Sequence, residues 1–190
     1  FGITGDCKEI SPEEVELLEN HKFEEIRTLF WRNSNLNFNN PISLIKSLEE
    51  KPQVEWLRKI HECEDEKALK YFLKDQKILN KEFDKKTLML LWECCQIPDF
   101  VKKTYGNHFE VIGNVFKFLT SKKGLISEDY MRLQLMKLDK LDGNVDSLSN
   151  RIANVRTWSY VSNKNNWVEN QSYWIEKTKH LEDRLSDRLH

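Results

Sequence analysis

The residues of this sequence best suited to chemistry are arginines that stand close to a tryptophan in residues 145–162. Arg151 and Trp158 are seven residues apart, which places them on one flank of a helix, and Arg156 projects beside the apolar stripe of the same segment. A guanidinium group beside an indole ring can stack on unpaired bases and form forked hydrogen bonds with phosphates. The alternative is structural, with Arg156 paired to a carboxylate and Trp158 in the core. If these residues bind a strand, replacing Arg151 or Arg156 by Ala should weaken strand binding for all base sequences alike. If their role is structural, the same replacements should impair folding instead.

Further cations occur in pairs that could follow a phosphate backbone. These pairs are Arg27 with Arg32, Lys102 with Lys103, and Lys122 with Lys123. Positive side chains on one surface attract phosphates whatever the base sequence, because the contact is electrostatic. Such a pair is also common on ordinary solvated surface, so both interpretations stay open. The candidate nucleic-acid-binding residues are Arg27, Arg32, Lys102, Lys103, Arg151, Arg156 and Trp158.

The sequence lacks the short motifs of common enzymes. It contains no G-x-x-x-x-G-K-[ST], G-x-G-x-x-G, G-x-S-x-G or H-E-x-x-H segment. Its six glycines are scattered singly, so consecutive backbone N–H groups of a glycine-rich loop cannot wrap a phosphate. We therefore predict no catalytic residue, no cofactor and no metal ion for this chain.

The cysteines do not have the spacing of a zinc site or of a disulfide framework. Cys7, Cys63, Cys94 and Cys95 include no pair separated by two residues, and a bridge between neighbours would be strained. A zinc site built from His61, Cys63 and the adjacent pair is the weaker alternative. We interpret the cysteines as free thiols in a reducing cytosol and expect a cytoplasmic protein.

The composition favours an all-α fold. The 190 residues include 39% hydrophobic and 32% charged residues but only six Gly and four Pro, which argues against a turn-rich all-β fold. A formal net charge of -1 neither indicates nor excludes a nucleic-acid partner, because such binding depends on where the charges lie on the surface. No apolar run approaches the roughly 20 residues of a membrane span, so we expect no membrane partner. The chain opens at Phe1 without a Met, which we interpret as part of a longer protein.

Helix-start signals and apolar periodicity locate the elements that position these residues. Ser11, Asp84 and Ser127 are predicted N-caps, and acidic residues follow two of them. Residues 21–32 suit either a helix or a strand, and residues 33–40 form a polar loop. Further helices are predicted at about residues 41–50, 64–79, 85–96, 107–121 and 127–141.

Residues 142–190 form two amphipathic helices joined by a short polar loop. Their apolar stripes are Val145, Leu148, Ile152 and Val155, and then Trp174, Thr178, Leu181, Leu185 and Leu189. Such a hairpin cannot bury its faces alone and needs a partner layer. Trp167, in the loop, is the tryptophan that we expect to be exposed. We predict an all-α, multi-helix bundle with a C-terminal helical hairpin and room for a short strand or two near the N-terminus.

Four segments also resemble a known family. They are FGITG at 1–5, ENHKFEEIRTLFWRN at 19–33, LLWECCQIPDF at 90–100 and the stretch from LDGNVDSL at 141 to the last residue. Together they resemble bacterial superfamily-two helicases of the mitochondrial-degradosome (Suv-like) type, and RTWSYVSNKNNW at 156–167 is the most specific part. In such helicases two RecA-like domains bind and hydrolyse ATP.

The resemblance implies a non-catalytic C-terminal accessory region of an ATP-dependent RNA or DNA helicase, which braces the motor and helps to enclose single-stranded nucleic acid. Residues 1–6 would be the tail of a RecA-like domain, residues 7–83 a short-helix accessory region and residues 84–190 a C-terminal helical bundle. The implied partners are the RecA-like motor domains of the same polypeptide, single-stranded RNA or DNA, and RNA-degradation proteins. ATP and Mg would be confined to the motor, because every ATPase motif is absent here. The alternative is a helical protein–protein interaction module with no nucleic-acid role, with Trp167 and Tyr173 in its interface.

Overall fold

A computed structural model describes residues 11–22, 28–74, 83–102 and 105–189 of the chain. The predicted RecA-like tail and the candidate residues Arg27 and Lys103 lie outside these described residues. Helices dominate the described part, where only two short strands accompany them, so the predicted all-α class is confirmed. The predicted short strands near the N-terminus are also present.

The helices among the described residues follow the predicted boundaries closely, and residues 75–79 of the predicted helix at 64–79 lie outside the described residues. They are α1 (Pro12–Glu19), α2 (Pro41–Glu49), α3 (Glu64–Lys74), α4 (Lys85–Cys95), α5 (Tyr105–Leu119), α6 (Glu128–Leu138), α7 (Val145–Ser162) and α8 (Gln171–Leu189). The strands are β1 (Leu29–Trp31) and β2 (Leu57–Lys59). The segment that suited either a helix or a strand therefore contains a strand at its end, and the polar loop after it is confirmed.

Contacts divide the chain into two compact units. The first unit comprises the described part of residues 1–33 together with Glu50–Ile60, and the second comprises Ser34–Glu49 with the described part of residues 61–190. The second unit includes residues on both sides of position 83, where the sequence predicts a division between two regions. That division remains a prediction.

In the first unit, α1 begins at the predicted capping residue. The Ser11 hydroxyl accepts from the backbone N–H of Glu14, and the Glu14 carboxylate accepts from the backbone N–H of Ser11 at 2.8 Å. These hydrogen bonds lower the pKa of Glu14. Two of the amide groups that a helix start leaves without partners are thereby satisfied.

The sheet of the first unit consists of β1 and β2 in parallel. Leu29 pairs with Leu57, Phe30 with Arg58, and Trp31 with Lys59. The ladder continues past the strands at both ends, because Leu29 donates to the Trp56 carbonyl at 3.1 Å and Ile60 donates to the Trp31 carbonyl at 2.9 Å. Directly paired residues face the same side of a sheet, so Phe30 and Arg58 are neighbours on one face.

The second unit is built around the predicted terminal hairpin. α7 and α8 form its most extensive helix pair, α6 packs on α7, and α4 packs between α3 and α5. Leu148, Ile152 and Val155 are buried along α7, although Val145 at its start is exposed. Along α8, Trp174, Thr178, Leu181 and Leu185 are buried as the stripe predicts. The neighbouring helices therefore supply the partner layer that a lone hairpin lacks.

The loop between α7 and α8 corrects one expectation, because Trp167 is buried and not exposed. Its carbonyl accepts from the backbone N–H of Ile126 at 2.8 Å, and Ile126 forms an isolated parallel bridge with Val168. This backbone pairing draws both loop residues inward. The Lys164 ammonium lies 5.7 Å from the centre of the Trp167 ring, on the solvent side of the loop.

Candidate nucleic-acid interface

Arg151 is engaged by the turn that precedes α7. Its guanidinium donates to the carbonyl of Lys140 at 2.8 Å and to the carbonyl of Asp142, and the Asp142 carboxylate lies 3.8 Å away. A side chain with three partners in one turn satisfies carbonyl groups that the helix ladder does not reach. The structure therefore gives Arg151 a role in positioning the start of α7.

Arg156 lies on the outer side of the hairpin and joins its two helices. Its Nε donates to the Glu182 carboxylate at 2.7 Å, so the pairing that the structural alternative expected is present. The side chain is still about half exposed, with a relative accessibility of 53%. Exposed ion pairs contribute little stability. A phosphate could compete for this guanidinium, and its binding role stays a prediction.

The expectation that Trp158 stacks on a base is wrong. The indole is 4% exposed and its ring meets Tyr130 of α6 edge to face, with ring centres 5.8 Å apart. Stacking needs an open ring face, which packing between α7 and α6 has removed. The same burial raises the pKa of Tyr130. Trp158 is a core anchor.

The remaining described cations lie outside α7. Lys102 is exposed in a turn where the Asp99 carboxylate accepts its backbone N–H at 3.1 Å, and Lys122 and Lys123 are exposed before Gly124. Arg32 is half-buried directly after β1. Arg32 therefore stands at the end of the sheet of the first unit, and the other described candidates belong to the second unit.

Two described cysteines and one described histidine are enclosed by the fold. Cys94 and Cys95 are buried free thiols in α4, and burial raises the pKa of both. His108 lies with its Nε2 3.0 Å from the carbonyl oxygen of Ile97, and burial lowers its pKa. Within the described ranges, no three His, Cys, Asp or Glu side chains are grouped so that they could hold a metal ion. Nor does any described helix have the length and apolarity to cross a membrane.

The sheet of the first unit presents an exposed aromatic residue and an exposed arginine on one face. Phe30 is 67% exposed, and its register partner Arg58 is exposed on the same face. Trp56, which precedes β2 and accepts the Leu29 N–H, is 55% exposed. We call the side of the sheet that carries Phe30 and Arg58 the strand face. The chemistry expected for Arg151 with Trp158 is available here.

A groove in the second unit runs between α6 and α8. Its two sections have volumes of about 490 and 340 Å³ and share Arg132, Tyr173 and Trp174 in their walls. The positively charged wall residues are Arg132, Lys177 and Arg184, and His180 lines the same section. Among the described wall residues, the carboxylates are Glu128 and Asp139, which lie at the two ends of α6.

Sequence reasoning missed both surfaces. Phe30 and Arg58 are 28 positions apart, and nothing in the local pattern gives the register of a parallel pair. The groove depends on α6 lying beside α8, which is a long-range contact. The one available signal was the recurrence of Tyr173, Lys177, His180 and Arg184 at steps of three and four, which places them on one side of α8.

Comparisons with known proteins add no relative to these observations. No protein-family model, no curated protein and no solved structure matches this chain. The resemblance to superfamily-two helicases therefore stays a prediction from the four sequence segments.

Proposed function

We propose that this chain is a non-catalytic accessory region of an ATP-dependent helicase and that it binds single-stranded RNA or DNA through the strand face. The single observation that carries the binding proposal is the exposed Phe30, which stands on the same face of the sheet as its exposed register partner Arg58. ATP and Mg are bound by RecA-like motor domains of the same polypeptide in this proposal. RNA-degradation proteins are its further partners, in the cytoplasm.

The arrangement of the strand face suits a strand of any sequence. Every base has a flat face that can stack on a phenylalanine ring, and an adjacent guanidinium can bind a phosphate or stack in turn. A motor that moves along a strand needs contacts of this sequence-tolerant kind. Trp56, at the start of β2, supplies a second exposed ring close to the same ladder.

Exposure of these rings is costly unless something covers them. Parallel sheets occur almost only where both faces are covered, and isolated two-stranded sheets are marginal in water. Leu29 and Phe30 are both exposed although they belong to such a sheet. A ligand that stacks on the ring would bury part of this apolar area, which favours binding.

The test is a pair of variants at one position. Phe30→Ile keeps an apolar, strand-compatible side chain without a ring, and Phe30→Tyr keeps the ring. Fluorescence anisotropy of a labelled oligouridylate should show a loss of about 1–3 kcal/mol in binding free energy for Phe30→Ile only. Equal affinity of both variants and the unaltered chain would reject the strand face as the binding surface.

The interaction module remains a second candidate because one described surface favours it. Leu133 and Met136 are large apolar residues that α6 leaves exposed, and Tyr173 is exposed on α8. Trp167, which this alternative also expected in the interface, is buried. Capture of a protein partner that survives nuclease treatment and is lost in Leu133→Ser/Met136→Ser would favour this alternative, provided that the chain does not bind a strand.

A further inference from the structure

The groove between α6 and α8 contains a buried donor without an acceptor. Trp174 is 2% exposed, and its Nε1–H has no hydrogen-bond partner among the described residues. The residue lines both sections of the groove. Buried polar groups in folded proteins are nearly always paired, so this donor lacks one acceptor, which a ligand in the groove would supply once the indole turns toward it.

The charges around this donor select a negative ligand. On α8, Lys177, His180 and Arg184 line the groove, and Arg132 faces it from the middle of α6. From Lys177 to Arg184 the helix rises about 10 Å, which is the length of about three stacked nucleotides. The wall therefore carries cations along a length that suits an extended polyanion.

Two of these cations are held only by exposed ion pairs. Arg132 pairs with Asp129 at 3.0 Å and Arg184 with Asp139 at 2.9 Å, and all four side chains are more than one third exposed. Pairs so exposed are weak and exchange readily with other anions. Glu128, the other wall carboxylate, already accepts from the Asn170 amide at 2.7 Å.

An exposed aromatic ring distinguishes a nucleic-acid strand from an acidic peptide. Tyr173 lines both sections of the groove, and its ring meets Trp174 edge to face with centres 4.9 Å apart. A ring flanked by cations offers stacking for a base and charge for its phosphate together. An acidic peptide would use the cations but has no flat group for the ring.

We propose that this groove binds the sugar–phosphate backbone of a single strand. Arg132, Lys177 and Arg184 contact phosphates, the Trp174 Nε1–H donates to an oxygen atom of the strand, and Tyr173 stacks on a base. This inference rests on the proposed function, because it assigns a second contact surface to the same class of ligand.

The first test measures strand affinity against salt concentration. The double variant Arg132→Gln/Lys177→Gln removes two groove cations, whereas Lys179→Gln removes an exposed cation of α8 that does not line the groove. The double variant should bind labelled oligouridylate at least several-fold more weakly. The slope of log affinity against log salt should become less negative by about 0.7 for each lost phosphate contact. Lys179→Gln should match the unaltered chain.

The second test observes the Trp174 donor directly. In an ¹⁵N-labelled chain, the indole N–H signal of Trp174 is assigned by its disappearance in Trp174→Phe. Oligouridylate should shift this signal, because a new acceptor changes the shielding of the proton. Oligoglutamate of equal charge should leave it in place. A shift with oligoglutamate alone would assign the groove to an acidic protein partner instead.

The outcomes separate this inference from the proposed function. If the unaltered chain binds the strand and Phe30→Ile weakens it, while the groove variant binds normally and the Trp174 signal stays fixed, the groove inference alone is overturned. If the unaltered chain binds no strand under any salt condition, the proposed function itself fails.

Discussion

The terminal hairpin and the two-stranded sheet contain the same residue types, and the structure uses them in opposite ways. In α7, Trp158 is packed against α6 and Arg151 is bound by the turn before the helix. On β1–β2, Phe30 and Arg58 stand side by side in solvent. An aromatic residue near an arginine is therefore accessible to a ligand only where no packing layer covers it.

The energetic reason is the extent of apolar burial available to each region. A helix within a bundle has neighbours on several sides. An indole there contributes more free energy by packing in the core than it would by binding a ligand. A sheet of two short strands has little to pack against. Its large side chains remain exposed. The free-energy cost of this exposed apolar area is offset only when a ligand or partner covers it.

The largest expected effect contrasts two tryptophans. Trp158→Ala should lower the free energy of unfolding by about 3–5 kcal/mol, because it removes a buried ring from the contact between α7 and α6. Trp56→Ala should change it by less than about 0.5 kcal/mol, because its side chain is largely exposed. Urea unfolding followed by circular dichroism measures both. Similar losses for the two variants would remove the energetic basis of the comparison.

A middle effect is expected for Arg151. Arg151→Ala should lower the free energy of unfolding by about 1–3 kcal/mol, since the carbonyls of Lys140 and Asp142 lose a charged donor. Its strand affinity, measured under conditions where the variant is folded, should equal that of the unaltered chain. Arg151→Lys is the matched control for charge without the forked geometry. A folded Arg151→Ala variant with normal stability and weaker strand binding would show that Arg151 belongs to the nucleic-acid interface.

The smallest effect is expected for Arg156. Its exposed pair with Glu182 should contribute at most about 1 kcal/mol, and high salt should reduce that contribution further. Unfolding of Arg156→Ala, Glu182→Ala and the double variant gives the coupling between the two side chains as a double-mutant cycle. A coupling well above this value would show that the pair holds the hairpin together.

Much of the fold could be predicted from local sequence. Ser11, Asp84 and Ser127 each accept the backbone N–H of the third residue of the helix that they begin, as their residue types predict. The stripe on α8 is likewise buried from Trp174 to Leu185. Caps and stripes depend on residues a few positions apart, so a single sequence contains the whole signal.

The failures all involve partners that are distant in the chain. Trp167 is buried because residues near position 126 pair with its loop, and Trp158 because Tyr130 covers it. The strand face requires the register of β1 on β2, and the groove requires α6 beside α8. Local patterns contain no information on such pairings, and so they located cations and aromatic residues without showing which of them meet.

The most direct test of the central claim is ultraviolet crosslinking of a single-stranded oligouridylate to the folded chain, followed by mass spectrometry of the peptides. The strand face predicts adducts on the peptides that contain Phe30 and Trp56, with the Phe30 adduct lost in Phe30→Ile. Adducts on the peptide that contains Trp158, with Phe30 and Trp56 unmodified, would contradict the account.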